Sequence, residues 1–176
     1  MTQPKASTTK DSLSRWWRQV LFIPMLHSRW LTPTVKKRLS EKVAAAEQGH
    51  RGEVFLIIEN HLPIEQAYHT NTHERAIDLF SEYRVWDTEE NTGILVYVNI
   101  CEKSLNIIAD RGISAHVSPT VWQAMCDKAL SGISNQKVEE SLGELLTEIG
   151  SLLRQYYQLE DNPMGNELSN TVVHLK

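Results

Sequence analysis

A chain of 176 residues, 41% hydrophobic and 23% charged, is long enough for one real core and has the balance of a soluble globular protein. Its 18 basic against 22 acidic residues leave a net charge of −4, which argues against nucleic acid as the main partner. Cys101 and Cys126 stand alone, with no CxxC and no framework of spacings, so both read as reduced thiols and the location as cytoplasmic.

Residues 1–31 make an N-terminal tail and a short helix. Met1 to Lys10 is polar and predicted to be disordered. From Asp11 or Ser12 to about Phe22 a helix carries Leu13, Trp16, Val20 and Ile23 at three- and four-residue steps, with Arg15, Arg18 and Gln19 falling elsewhere. Trp16 and Trp17 beside arginines suit peripheral contact with a membrane. Scattered basic residues and a single apolar stripe anchor only weakly, which favours the alternative that both rings fold back on the domain. The run Val20 to Leu26, interrupted by Pro24, is too short to span a bilayer, so no transmembrane segment is expected.

Residues 32–157 read as one α/β domain. Thr32 caps a helix that Pro33 opens and Gly49 closes, with Val35, Leu39, Val43 and Ala46 inward. Glu53 to Ile58 is a buried strand by composition, and residues 60–70 form a loop. A second helix begins near Thr72, with Ala76, Leu79, Phe80 and Tyr83 inward and Arg75 and Glu82 outward. Ile94 to Val98 and Ile107 to Ala109 are the arms of a hairpin; with Glu102 and Lys103 as turn residues, Leu95 faces Asp110 and Ile94 faces Arg111. Ser118 and Pro119 start a helix that Gly132 ends, and the longest helix runs from Gln136 to about Tyr157. This order predicts a small central β-sheet of three to four strands with helices packed on both faces. Residues 158–176, with Pro163 and Gly165 in a polar stretch, are predicted to be a disordered tail.

The hairpin register brings Asp87, Glu90 and Asn91, which lead into its first arm, near Asp110 and Arg111, which leave the second. Carboxylates, an amide and a guanidinium at one strand end suit a divalent cation, a phosphate or both. Equally, acidic residues between a helix and a strand are commonly a solvated turn. Standard sites are absent: there is no GxxxxGK or GxGxxG phosphate loop, no arginine six positions after either cysteine, and no HExxH. His61, His69 and His73 invite a metal reading, but His69 precedes the helix start and no cysteine lies close, which favours solvated histidines.

With these elements in place the chain resembles the TPM domain family, which includes thylakoid acid-phosphatase-like proteins. The resemblance covers about residues 32–157. It rests most specifically on Val85-Trp-Asp-Thr-Glu-Glu-Asn-Thr-Gly93 and Ile108-Ala-Asp-Arg-Gly-Ile113, with support from Glu53-Val-Phe-Leu-Ile-Ile58 and Arg75-Ala-Ile-Asp-Leu-Phe80. It implies a groove at one sheet end that carries calcium in some members and is associated with acid phosphatase activity. Where many members have Leu-Pro-Asp, this sequence has Val117-Ser118-Pro119, so one expected ligand is missing. Two readings follow. In one, the domain is a non-catalytic interaction module that docks a protein or membrane-associated complex. In the other it is a divalent-cation-dependent, acid phosphatase-like hydrolase, with Asp87, Glu90, Asn91 and Asp110 holding Ca2+ or Mg2+, and with Asp110 and Arg111 as catalytic candidates. No recognisable nucleophile or general acid is present, which favours the interaction module.

Overall fold

The computed structural model describes residues 12–158 and 168–176. α1 (Leu13–Val20) begins at Ser12, whose hydroxyl accepts from Arg15 N at 3.2 Å, and α2 (Pro24–His27) is a single turn. α3 (Pro33–Ala46) is capped by Thr32, and Gly49 takes a left-handed φ of 81° three residues beyond it. β1 (Val54–Glu59) leads through a loop to α4 (Thr72–Glu82), where Asn71 and Glu74 form a reciprocal capping box. β2 (Ile94–Asn99) and β3 (Ser104–Ala109) make the hairpin, followed by one turn of α5 (Arg111–Ser114), then α6 (Pro119–Ser134), α7 (Val138–Tyr157) and β4 (Val173–Leu175).

The sheet runs in the order β3-β2-β1-β4, with β1 parallel to β2 and to β4 and the β2–β3 pair antiparallel. Alternate residues of the central strands feed two cores. Val54, Leu56, Ile58, Ile94, Val96 and Val98 join α3, α6 and α7, while Phe55, Ile57, Leu95 and Tyr97 meet Ala76 and Leu79 of α4. Strands covered on both faces become continuous apolar runs, which explains the composition of β1 and β2. The predicted fold class is therefore the observed one: a mixed α/β layer with a four-stranded sheet.

Several local expectations are corrected. The hairpin pairs Ile94 with Ala109 and Asn99 with Ser104, so the register differs by two residues from the predicted one. The reversal needs four residues, Ile100 to Lys103. Asn99 Oδ1 accepts from Glu102 N at 2.9 Å, Lys103 adopts φ 49°, and Ile100 N is held by Glu59 O at 2.9 Å. A shift of two preserves which face each side chain occupies, so both cores survive the misreading. α6 continues past Gly132 to Ser134; the glycine serves proximity, since a Cβ there would lie 2.1 Å from Ser141 Oγ of α7. Arg75, predicted outward, turns in to Glu59.

The larger correction concerns the C-terminal segment. Of the segments predicted to be disordered, residues 1–10 and 159–167 lie outside the described residues. Residues 168–176, assigned to the same disordered tail, instead supply β4: Val172 is buried with α3 and α7, its N bonds Ser40 Oγ at 3.1 Å, and Asn60 N bonds Leu175 O at 3.0 Å. A three-residue strand preceded by polar residues offers no period long enough to detect in sequence.

Candidate functional site

Of the five predicted residues, Glu90, Asn91, Asp110 and Arg111 come together at the end of the sheet where β2 begins and β3 ends, and Asp87 stands exposed on the turn before them. Arg84 and Asn91 adopt left-handed φ values of 51° and 53°, which fold residues 84–93 into two tight reversals, with Asp87 N bonded to Arg84 O at 2.9 Å and Asn91 N to Thr88 O at 3.1 Å. Thr88 and Thr92 are buried beneath; Thr92 N bonds Thr88 Oγ1 at 3.0 Å and Thr92 Oγ1 donates to Arg51 O at 3.1 Å. Gly93 and Gly112 permit the close approach. A Cβ at Gly93 would sit 1.8 Å from Val85 O, and one at Gly112 would sit 2.5 Å from the carbonyls of both Glu90 and Asn91. Two backbone bonds, Gly112 N to Asn91 O and Asp110 N to Gly93 O, both 2.9 Å, close the two segments on each other.

Side chains in this cluster are already committed. Arg111 Nε donates to Asn91 Oδ1 at 2.9 Å, and Arg51 Nη1 pairs with Glu90 Oε1 at 2.6 Å. Asp110 caps α5 by accepting from Arg111 N at 2.7 Å, while its other oxygen, Oδ2, is buried without a hydrogen-bond partner. Asp87 is exposed. Two guanidinium groups thus take acceptors that a dication would need. Among the described residues no group of three or more His, Cys, Asp or Glu is placed to hold a metal ion. As arranged, the donor set does not fit a resident Ca2+ or Mg2+.

The model of the TPM domain matches residues 27–152. The chain belongs to the TPM domain family. As a TPM domain it shares its fold with the NMR structure of the BA42 protein from the psychrophilic bacterium Bizionia argentinensis, at 22% identity and a TM-score of 0.72, covering 81% of this chain and 94% of that one. The N-terminal domain of a protein from P. gingivalis is a more distant likeness, at 10% identity and a TM-score of 0.59, covering 74% and 82% of the two chains. No curated protein matches.

Two further constellations in this TPM domain escaped sequence reasoning. Glu59, at the C-terminal end of β1, is buried and accepts from Arg75 Nη2 at 2.9 Å, from Tyr97 OH, and from Asn99 Nδ2 at 3.4 Å. Burial first, then the adjoining Glu59 carboxylate, push the Tyr97 phenol well above its usual range, so this network is a neutral-tyrosine clamp on a buried ion pair. A charged residue closing an otherwise apolar strand was its only trace in the sequence.

The second lies in α1, which is inside out. Its buried residues are Arg15 and Gln19, each 2% exposed, while Leu13, Trp17, Val20 and Leu21 face solvent. Arg15 Nε and Nη2 donate to the carbonyls of Ala67 and Tyr68 at 2.8 and 2.9 Å. Gln19 accepts from Leu62 N at 2.9 Å and donates to Glu102, which also pairs with Arg18 at 2.9 Å. The tryptophans accordingly do not both fold back: Trp16 is half-buried and meets Trp17 edge to face at 5.0 Å, and Trp17 is 54% exposed.

Proposed function

We propose that this TPM domain is a non-catalytic interaction module that docks on a membrane surface, or on a complex held there, through α1. The outward apolar face of α1 carries the reading. Leu13, Trp17, Val20 and Leu21 recur at helical spacing on one side, and Ile23 extends the exposed set. A helix that spends its polar residues on its own domain leaves the apolar ones for something else, and an unmatched apolar face rimmed by charge is the usual mark of a docking surface.

Charge supports a lipid surface as the occupant. With Arg15 buried on the carbonyls of Ala67 and Tyr68 and Arg18 paired with Glu102, residues 1–31 still contain Lys5, Lys10 and Arg29 against Asp11 alone, although the whole chain is acidic. Exposed Trp with nearby Arg is the composition of an interfacial helix. No helix among the described residues is long and apolar enough to cross a membrane. Free, buried Cys101 and Cys126, with burial raising their thiols to about 11 and about 12, are compatible with the cytoplasmic face.

Cosedimentation of the full chain with vesicles tests this. Wild type is expected to bind vesicles rich in phosphatidylglycerol, to bind phosphatidylcholine vesicles less, and to lose binding in Trp17→Ser/Leu21→Ser. Equal recovery of wild type and this double variant would overturn it. Hydrolysis of a generic aryl phosphate with Ca2+ or Mg2+ present, lost in Asp110→Asn, would instead move the assignment to the hydrolase reading.

A further inference from the structure

At the opposite end of β2 from the acidic cluster, a cleft of about 690 Å³ opens between α2, the β2–β3 turn and the corner joining α6 to α7. That size suits a small ligand. Its floor is apolar: Trp30, Val98, Ile100, Leu130 and Ile133. Its mouth carries two cations, Arg29 and Lys103, beside His27, and no Asp or Glu stands among the described lining residues.

Three observations make the charge pattern informative. First, Arg29 and Lys103 are exposed and no ion pair to either occurs among the described residues; Arg84, Arg111 and Arg154 are likewise without a carboxylate there, so the information lies in two such cations meeting at one apolar cleft. Glu102, next in sequence to Lys103, is taken by Arg18 and Gln19. Second, Ser104 lines the cleft while its Oγ is enclosed with no hydrogen-bond partner, a cost that a turn of the side chain toward an acceptor in the cleft would relieve. Third, the cleft sits beyond the C-terminal end of β2, where Val98, Asn99 and Ile100 leave the sheet for the turn that carries Lys103. By contrast, a cleft of about 600 Å³ between α3 and α7 holds Glu139 and Glu148, each already paired with Arg38 or Lys128.

The geometry points to a binding site for a single-chain amphiphile with an anionic head, its tail on Trp30, Val98, Leu130 and Ile133 and its carboxylate or phosphate between Arg29 and Lys103 within reach of the Ser104 hydroxyl. An apolar floor selects the alkyl chain by removing it from water, and unanswered cations select the sign of the head. This site does not depend on α1 docking, because a monomeric amphiphile needs no bilayer.

Calorimetric titration of the full chain with decanoate and with decyl phosphate, both below their micelle concentrations, tests the assignment against decanol and decyltrimethylammonium. One molecule of at least one anion is expected to bind per chain, with the cation not binding. Whether decanoate or decyl phosphate binds more tightly identifies the head. Arg29→Glu/Lys103→Glu, at exposed positions where folding is least at risk, should weaken binding by about tenfold or more. Ile133→Trp, which fills the cleft, should abolish binding while circular dichroism remains that of wild type. No binding of either anion, equal binding of the cation, or an unchanged affinity in Arg29→Glu/Lys103→Glu overturns it.

Discussion

Glu47 shows how one residue's environment sets a response of the fold. Its Oε1 accepts from Val54 N at 3.0 Å, Asn170 bonds the same carboxyl, and Glu53, which accepts from Leu168 N at 3.4 Å, adjoins it. Burial, reinforced by Glu53, raises Glu47 from 4.5 to about 8. The folded state therefore holds a proton that the unfolded chain has released, so stability falls as pH rises from about 4.5 to about 8. Because ionising Glu47 sets a second negative charge beside Glu53 where Leu168 and Asn170 attach, the protection factors of amides in residues 168–175, which remove the intrinsic rise of exchange with pH, are expected to fall over that interval before those of the central strands. Glu47→Gln should flatten the dependence; an unchanged pH profile would remove Glu47 from the account. The pairing was not legible in the sequence, where Glu47 falls in the last turn of a helix and Glu53 at the start of a buried strand, with nothing to show that the two carboxyls meet. The site residues fared differently: Asn91, Gly93 and Gly112 could be read because positive φ and close approach restrict residue type, whereas the Arg51–Glu90 pair depends on segments that only the fold brings together.

Among the elements, β1, β2 and the α3 and α7 stripes were readable because continuous burial leaves a continuous apolar signature. Val96 is fully buried at the centre of β2, and Val96→Ala is expected to cost about 1–3 kcal/mol in chemical denaturation, by lost transfer energy and a residual cavity. A loss near zero would mean that β2 is not central. α1 defeated the same logic. Leu13 and Val20 of its predicted stripe share a face, but periodicity reports only that two faces differ and not which one the domain keeps. The face was decided by the carbonyls of Ala67 and Tyr68, which need donors, and by Arg15, which supplies them. Arg15→Ala should accordingly release α1, raising amide exchange in residues 13–20 while leaving β2 protected; intact protection of α1 would show that other contacts hold it.

For the whole molecule, the two-sided sheet and its helical cover followed from element order, and the family resemblance extended over most of the domain. The edge did not follow. β4 covers the flank of β1 through residues that follow a polar stretch, so deleting residues 168–176 should lower stability by about 1–3 kcal/mol, chiefly through exposure of Val172 and its neighbours. An unchanged denaturation midpoint would make β4 dispensable. The placement of the tryptophans has a further, optical consequence. Trp17 and Trp86 stand in solvent while Trp122 is sealed in the core, so the native emission is a sum of a red-shifted, quenchable part and a blue-shifted, protected one. Iodide should extinguish the former and spare the latter. In Trp86→Phe the quenchable part comes chiefly from α1, and the protein then reports through its own light, without a label, whenever that helix leaves water.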